Sequence, residues 1–136
     1  MAGYSDRSLS EKLGIKPGTQ VVALGAPRSY PSLLGRLPTG AKLHARLRRT
    51  PEFIHRFVRR RHELERDFPR LARVLSDKGT LWISWPKKAS GVATDLTENI
   101  VREIGLGHGL VDVKVCAVDE VWSGLKFVRR LENRGG

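Results

Sequence analysis

Residues 51–79 read PEFIHRFVRRRHELERDFPRLARVLSDKG, and the fold turns on whether they make one long helix or a strand followed by a helix. Phe53, Ile54, Phe57 and Val58 satisfy a helical period, yet the same four make a short run rich in strand formers. Further on, Leu64, Phe68, Leu71 and Leu75 recur at helical spacing. This divides the segment into a strand over Glu52–Val58 and a helix from about Arg61 to Leu75. Pro69 kinks or splits that helix, because it has no N–H for the carbonyl four residues back. One unbroken helix from Glu52 to Leu75 would remove a strand and change the architecture.

Upstream, Ser8 to Gly14 makes a short helical turn ended by glycine, and Thr19 to Gly25 is an apolar strand. Pro31 suits the first position of a short helix through Leu34, LPTG is a turn, and Ala41 to Leu47 alternates as a second strand. Downstream, Gly79 to Trp85 is a fourth strand. Asp95 and Glu98 form a capping-box pattern at the head of a helix whose buried face is Leu96, Ile100 and Ile104. Glu98 and Arg102 pair across one turn, and Gly105, Gly107 and Gly109 end the helix. Val111–Val118 and Ser123–Arg130, joined by DEVW, read as an antiparallel hairpin. Strands alternating with helices and closed by a hairpin predict an α/β three-layer sandwich with a mostly parallel, Rossmann-like sheet. The chain reads as one domain over 1–136, with ends frayed at about 1–7 and 132–136.

The 136 residues suffice for one core, and neither a membrane-spanning apolar run nor an apolar leader is visible. A single cysteine, Cys116, excludes an internal disulfide and fits a reducing cytosol, so a cytoplasmic location is expected. Net charge is +11, with 12 basic and four acidic residues between Arg36 and Arg73. Such a cluster attracts polyanions, and Arg48, Arg49, Arg59, Arg60 and Arg61 are its candidate nucleic-acid contacts. The ordinary alternative is a solvated face, and no aromatic residues are interleaved as a single-strand platform requires.

The candidate site lies in LWISWPKKASGVATDLTEN, residues 81–99. In open parallel sheets, ligands bind beyond the carboxyl ends of the strands, at helix N-termini. Residues 85–94 form such a loop. Lys87 and Lys88 supply charge, Ser90, Gly91 and Thr94 supply hydroxyls and open backbone, and the helix headed by Asp95 favours an anion. Trp122 and Lys126 on the final hairpin complete this candidate pocket. Against it stands a plain reading in which the tryptophans are core and the lysines solvated.

Other chemistry is sparse. His44, His55, His62 and His108 are widely spaced, so no metal site is expected. Cys116 reads as a core residue rather than a nucleophile. Ion pairs of Lys114 or Lys126 with a carboxylate are the ordinary account of the charged hairpin, although Asp119 and Glu120 would serve a pocket folded over the Lys87 loop.

The strand order resembles a shortened S-adenosylmethionine-dependent methyltransferase fold. Such enzymes carry a glycine-rich turn after the first strand and an acid at the end of the second. Here the turn LGAPRSYP has one glycine, Gly25, followed by Pro27, and Arg48 and Arg49 stand where the acid belongs. Both departures argue against S-adenosylmethionine and NAD, so no cofactor is expected.

The blocks at 13–27 (LGIKPGTQVVALGAP), 81–105 (LWISWPKKASGVATDLTENIVREIG) and 109–128 (GLVDVKVCAVDEVWSGLKFV) are similar to the bacterial domain of unknown function 3052 family. The FVxxRxELE pattern, Phe57 to Glu65, matches too and favours the strand-then-helix reading. The resemblance implies a compact bacterial single-domain protein and no particular activity. Three functions follow in order of expectation. The first is a non-catalytic module binding a small phosphate-bearing ligand at the Lys87–Glu98 loop. The second is an enzyme on a methyltransferase-like skeleton, with Asp119, Glu120 or Lys126 as its candidate groups. The third is a nucleic-acid or polyanion binder using the Arg46–Arg73 surface.

Overall fold

A computed structural model describes residues 8–130. Its strands are β1 (Gln20–Leu24), β2 (Lys42–His44), β3 (Phe53–Phe57), β4 (Thr80–Pro86), β5 (Leu110–Ala117) and β6 (Trp122–Arg129). The helices are α1 (Leu9–Leu13), α2 (Tyr30–Leu34), α3 (Arg61–Val74) and α4 (Glu98–Leu106). The opening segment is therefore a strand followed by a helix, and Pro69 sits inside α3 without dividing it. The ambiguity of its apolar run has a simple cause. Phe53 and Phe57 point to one core and Ile54 and Val58 to another, so β3 is buried on both faces. A strand covered on both faces loses the polar alternation that would have announced it.

The sheet runs in the order β2-β1-β3-β4-β6-β5. The first four strands are parallel neighbours, and β6 pairs antiparallel with both β4 and β5. Helices α3 and α4 cover one face over a core that includes Val22, Ile54, Phe68, Ile83 and Phe127. On the other face, α1 and α2 cover Val21, Phe53, Phe57, Trp82 and Trp122. The two tryptophans of β4 thus enter opposite cores. Trp82 donates its indole N–H to the Leu13 carbonyl at 3.0 Å, which ties α1 to the sheet. The expected frayed ends fall outside the described residues.

Two local expectations need correction. Helix α4 begins at Glu98 with Thr97 as its cap, Thr97 Oγ1 accepting from the Ile100 N–H, and Asp95 lies before it. Its buried face is Val101, Ile104 and Gly105, while Ile100 is only half-buried and Leu96 is buried ahead of the helix. Gly105 is inside the helix because a Cβ there would come within 2.1 Å of Phe127 Cε1. The glycine lets α4 lie directly on β6. Lys114 and Lys126 pair with no carboxylate among the described residues; they face each other across β5 and β6. Burial, with Lys114 and Lys16 adding repulsion, pulls the Lys126 amine below its usual range.

Candidate functional site

Strand β1 leads through α2 to β2 on one side, and β3 leads through α3 to β4 on the other. Between β1 and β3 the connections diverge, and in sheets of this type the crevice at that point takes the ligand. At the carboxyl end of β1 stands Gly25, with φ of +69°, a conformation that excludes most side chains. Three open crevices meet at this residue. The first, of about 500 Å³, runs toward Arg46, Arg56, Asp67 and Arg70. The second, of about 480 Å³, lies over Arg28, Tyr30, Leu43 and His44. A third, of about 320 Å³, is bounded by Pro27, Arg56, Phe57, Arg59, Glu63 and Trp122.

Arg56 is the charged side chain at the centre. It leaves β3 on the α3 side and its Nη2 donates to Asp67 Oδ2 at 2.8 Å. A hydrogen bond from Arg66 and then the charge of Arg56 hold the Asp67 carboxyl below its usual range. One turn earlier on α3, Glu63 lines the crevice that also holds Arg56 and Arg59. The Arg59 guanidinium lies 5.9 Å from the centre of the Trp122 ring, a cation–π distance. Trp122 itself meets Phe57 edge to face at 5.1 Å and forms an aromatic wall.

Below this wall runs a buried chain of hydrogen bonds. Tyr30 Oη lies 2.8 Å from His55 Nδ1, and His55 Nε2 lies 2.7 Å from Ser84 Oγ. His55 is fully buried and stacks on Phe57 at 4.2 Å. Burial pushes its pKa down to about 3, so the ring is neutral, donating from one nitrogen and accepting at the other. The chain fixes the side chains beneath the crevice. All three of its side chains are buried.

Of the residues expected to bind an anion, Lys87, Ser90, Thr94 and Asp95 bond other parts of the chain, while Lys88 is exposed. Lys87 Nζ donates to the Asp119 carbonyl at 2.6 Å and pins the β5–β6 connection. Lys88 opens a single 3₁₀ turn, Lys88–Ser90, in which Ser90 Oγ donates to the Lys87 carbonyl, and Gly91 closes it at φ +77°. Thr94 Oγ1 donates to the Arg59 carbonyl at 2.6 Å. Asp95 Oδ1 accepts from the Arg61 N–H at 2.7 Å, so it serves the start of α3 and not that of α4. The loop at 94–95 is therefore a clasp on the β3–α3 junction. Trp122 belongs to the Gly25 crevices, and Lys126 sits opposite Trp82, four residues down β6 from Trp122. Asp119 accepts from the Val121 and Trp122 N–H groups in its own turn. Among the arginines proposed for polyanions, Arg59 enters the crevice, Arg48 approaches His44, Arg61 pairs with Glu65, Arg49 lies beside the far part of α3, and Arg60 is exposed.

Arg56, Glu63 and Gly25 were not among the expected site residues. Arg56 carried a signal, since it is the only charged side chain between Phe53 and Val58 in an apolar strand. Cys116 is buried, and no group of three or more metal-ligating side chains occurs among the described residues. Among the described residues, no helix is long and apolar enough to cross a membrane.

No protein-family model matches the chain, and no curated protein matches its sequence. Solved structures do match its fold. Magnesium protoporphyrin IX methyltransferase from Synechocystis PCC 6803, with bound S-adenosylmethionine, superposes with a TM-score of 0.59 at 15% identity, covering 90% of this chain and 74% of that one. An S-adenosylmethionine-dependent methyltransferase from Aquifex aeolicus gives 0.60 at 17% identity over 86% and 85%. A ribosomal protein L11 methylase from Lactobacillus delbrueckii subsp. bulgaricus gives 0.54 at 14% identity over 90% and 75%. The methyltransferase-like Rossmann fold read from the strand order is thereby established. The expectation of a non-catalytic module at the Lys87–Glu98 loop is corrected: the fold is shared with methyltransferases, and Lys87, Ser90 and Thr94 of that loop bond backbone carbonyls of the chain itself.

S-adenosylmethionine does not fit the residues present. A Cβ at Gly25 would lie 2.7 Å from Arg56 Nη1 and 2.8 Å from the Phe57 carbonyl, so the turn is packed against this chain's own groups. Pro27 removes an N–H from that turn. Beyond β2, His44 Nε2 lies 2.7 Å from Gln20 Oε1, and the next charged group is Arg46, so no carboxylate follows β2. A sulfonium cation entering there would meet three arginines, Arg46, Arg56 and Arg70, against one carboxylate, Asp67, which Arg56 and Arg66 already engage.

Proposed function

We propose that the protein is an enzyme on a methyltransferase-like skeleton that performs acid–base chemistry on a small anionic substrate in the Gly25 crevice. The observation that carries this reading is the lining of the 320 Å³ crevice. One carboxylate, two guanidinium groups and an aromatic wall converge at the point where the strand connections diverge. Arg56 and Arg59 are the substrate-holding groups, because a guanidinium fork suits a planar carboxylate or a phosphate. Glu63 is the group that takes or returns the proton, since it is the acidic side chain lining the same crevice as both arginines. Phe57 and Trp122 close one side and strengthen these interactions by excluding water. Similarity to the domain of unknown function 3052 family adds no activity to this choice.

The test is turnover without a chosen substrate. The purified protein is incubated with a small-molecule extract, and the composition is followed by mass spectrometry. The expected result is time-dependent loss of an anionic compound exceeding the amount of protein, abolished in Glu63→Gln while the variant keeps its melting temperature. Stoichiometric depletion alone, or equal conversion by Glu63→Gln, would remove the catalytic assignment.

A further inference from the structure

We propose that the groove between the loop at 46–50 and α3 binds the sugar-phosphate backbone of a nucleic acid. Two crevices carry the inference, because they advance together along the same pair of segments. One is lined by Arg46, Leu47, Asp67 and Arg70, and the next by Arg49, Thr50, Arg73 and Val74. Each step along the loop is matched by a step along the helix, so the two crevices lie end to end. Arg46, Arg49, Arg70 and Arg73 are exposed and make no ion pair or hydrogen bond with any described residue. The acids on the same walls are already engaged, Asp67 with Arg56 and Arg66, and Asp77 with Arg129.

Four uncommitted guanidinium groups along a concave path repel one another unless a polyanion answers them. A single phosphate neutralises only one end of such a path. At about 1.5 Å rise per residue, α3 from Asp67 to Arg73 extends about 9 Å, which is two to three phosphates at about 3.4 Å per nucleotide. A membrane surface is flat and calls for apolar insertion. The large exposed apolar side chains among the described residues, Leu106, Val113 and Val115, belong to α4 and β5 on the other side of the sheet order. At Arg56 the groove meets the crevice proposed for the reaction, yet its binding needs no turnover, so either reading can fail alone.

Fluorescence anisotropy tests it, using labelled oligonucleotides roughly 12 nucleotides long, single-stranded and duplex, over about 50–200 mM salt. The intact protein is expected to bind with a log–log salt slope of about −1.4 to −2.1 on single strands, from two to three phosphates at about 0.7 each. Arg46→Ala with Arg70→Ala, and separately Arg49→Ala with Arg73→Ala, should each reduce that slope by about half and weaken all sequences alike. Lys87→Ala with Lys88→Ala removes the same charge elsewhere and should leave the slope unchanged. The idea is overturned by absent binding, by slopes that survive both arginine pairs, or by an equal effect of the lysine pair. Tighter binding to phosphatidylserine vesicles or polyglutamate than to the oligonucleotides would equally overturn it.

Discussion

Acidification should destabilise this protein through one side chain. His55 is fully buried between Tyr30, Phe57, Trp82 and Ser84, and its pKa of about 3 compares with 6.5 for the free ring. The folded state therefore keeps the ring neutral while the unfolded chain protonates it below about pH 6.5. More protons on the unfolded state mean that stability rises with pH. The contribution is complete above the unfolded pKa, and it is lost at about 1.4 kcal/mol per pH unit as pH falls toward 3. Between about pH 7.5 and pH 5.0 the loss is about 2 kcal/mol, or roughly 6–10 °C in melting temperature for a chain of this size. Calorimetry over that range reads the shift, and His55→Gln should lose this pH-dependent part even though it melts lower throughout. Proton NMR gives a second reading, in which one of the four histidines keeps its neutral-ring shifts down to about pH 4.5. A melting temperature that falls equally in His55→Gln, or four histidines that all titrate near pH 6.5, would refute the argument.

Three further outcomes are expected. Gly105→Ala should destabilise the protein by about 1–3 kcal/mol in urea titrations, reversing the usual helical preference for alanine, because the new methyl enters the Phe127 ring. Asp95→Ala should cost about 1 kcal/mol and speed amide exchange at the start of α3, whereas Thr97→Ala should do so at the start of α4; faster exchange in α4 for Asp95→Ala would reverse the assignment of caps. Calorimetric titration with S-adenosylmethionine should show no binding tighter than about 100 μM, near −5.5 kcal/mol, and a tighter constant would mean that Arg56 yields the turn at Gly25.

Patterns one element long were legible in the sequence. The helical recurrence of Leu64, Phe68 and Leu71 and the apolar strand run at Phe53–Val58 placed α3 and β3 within a residue or two, and the parallel order followed. The site was less legible, because each of its candidate groups had two uses. Lysines followed by a small-residue loop fit an anion cradle, but Lys87 and Thr94 bond carbonyls distant in sequence, which no local pattern encodes. Asp95 with Glu98 has capping-box spacing, yet the carboxylate turns to another helix 34 residues away. Arg56 stood out as the charged side chain of the apolar run Phe53–Val58, but its partner did not: only the packing of α3 brings Asp67 to its guanidinium.

The placing of β6 between β4 and β5 bears on how the sheet is assembled as the chain emerges during synthesis. Strands β1 to β4 can associate in order as they appear, each parallel pair closing over its own crossover. Then β5 arrives with no strand to pair against, since it bonds β6 alone. Until Trp122–Arg129 is free to insert, β4 has an open edge carrying apolar side chains, and the ring of Phe127 is missing from beneath Gly105. The final strand therefore acts as a keystone, locking two otherwise separate pieces in one late step. A longer delay between the emergence of β4 and that of β6 would lengthen the time during which β4 can pair with another chain.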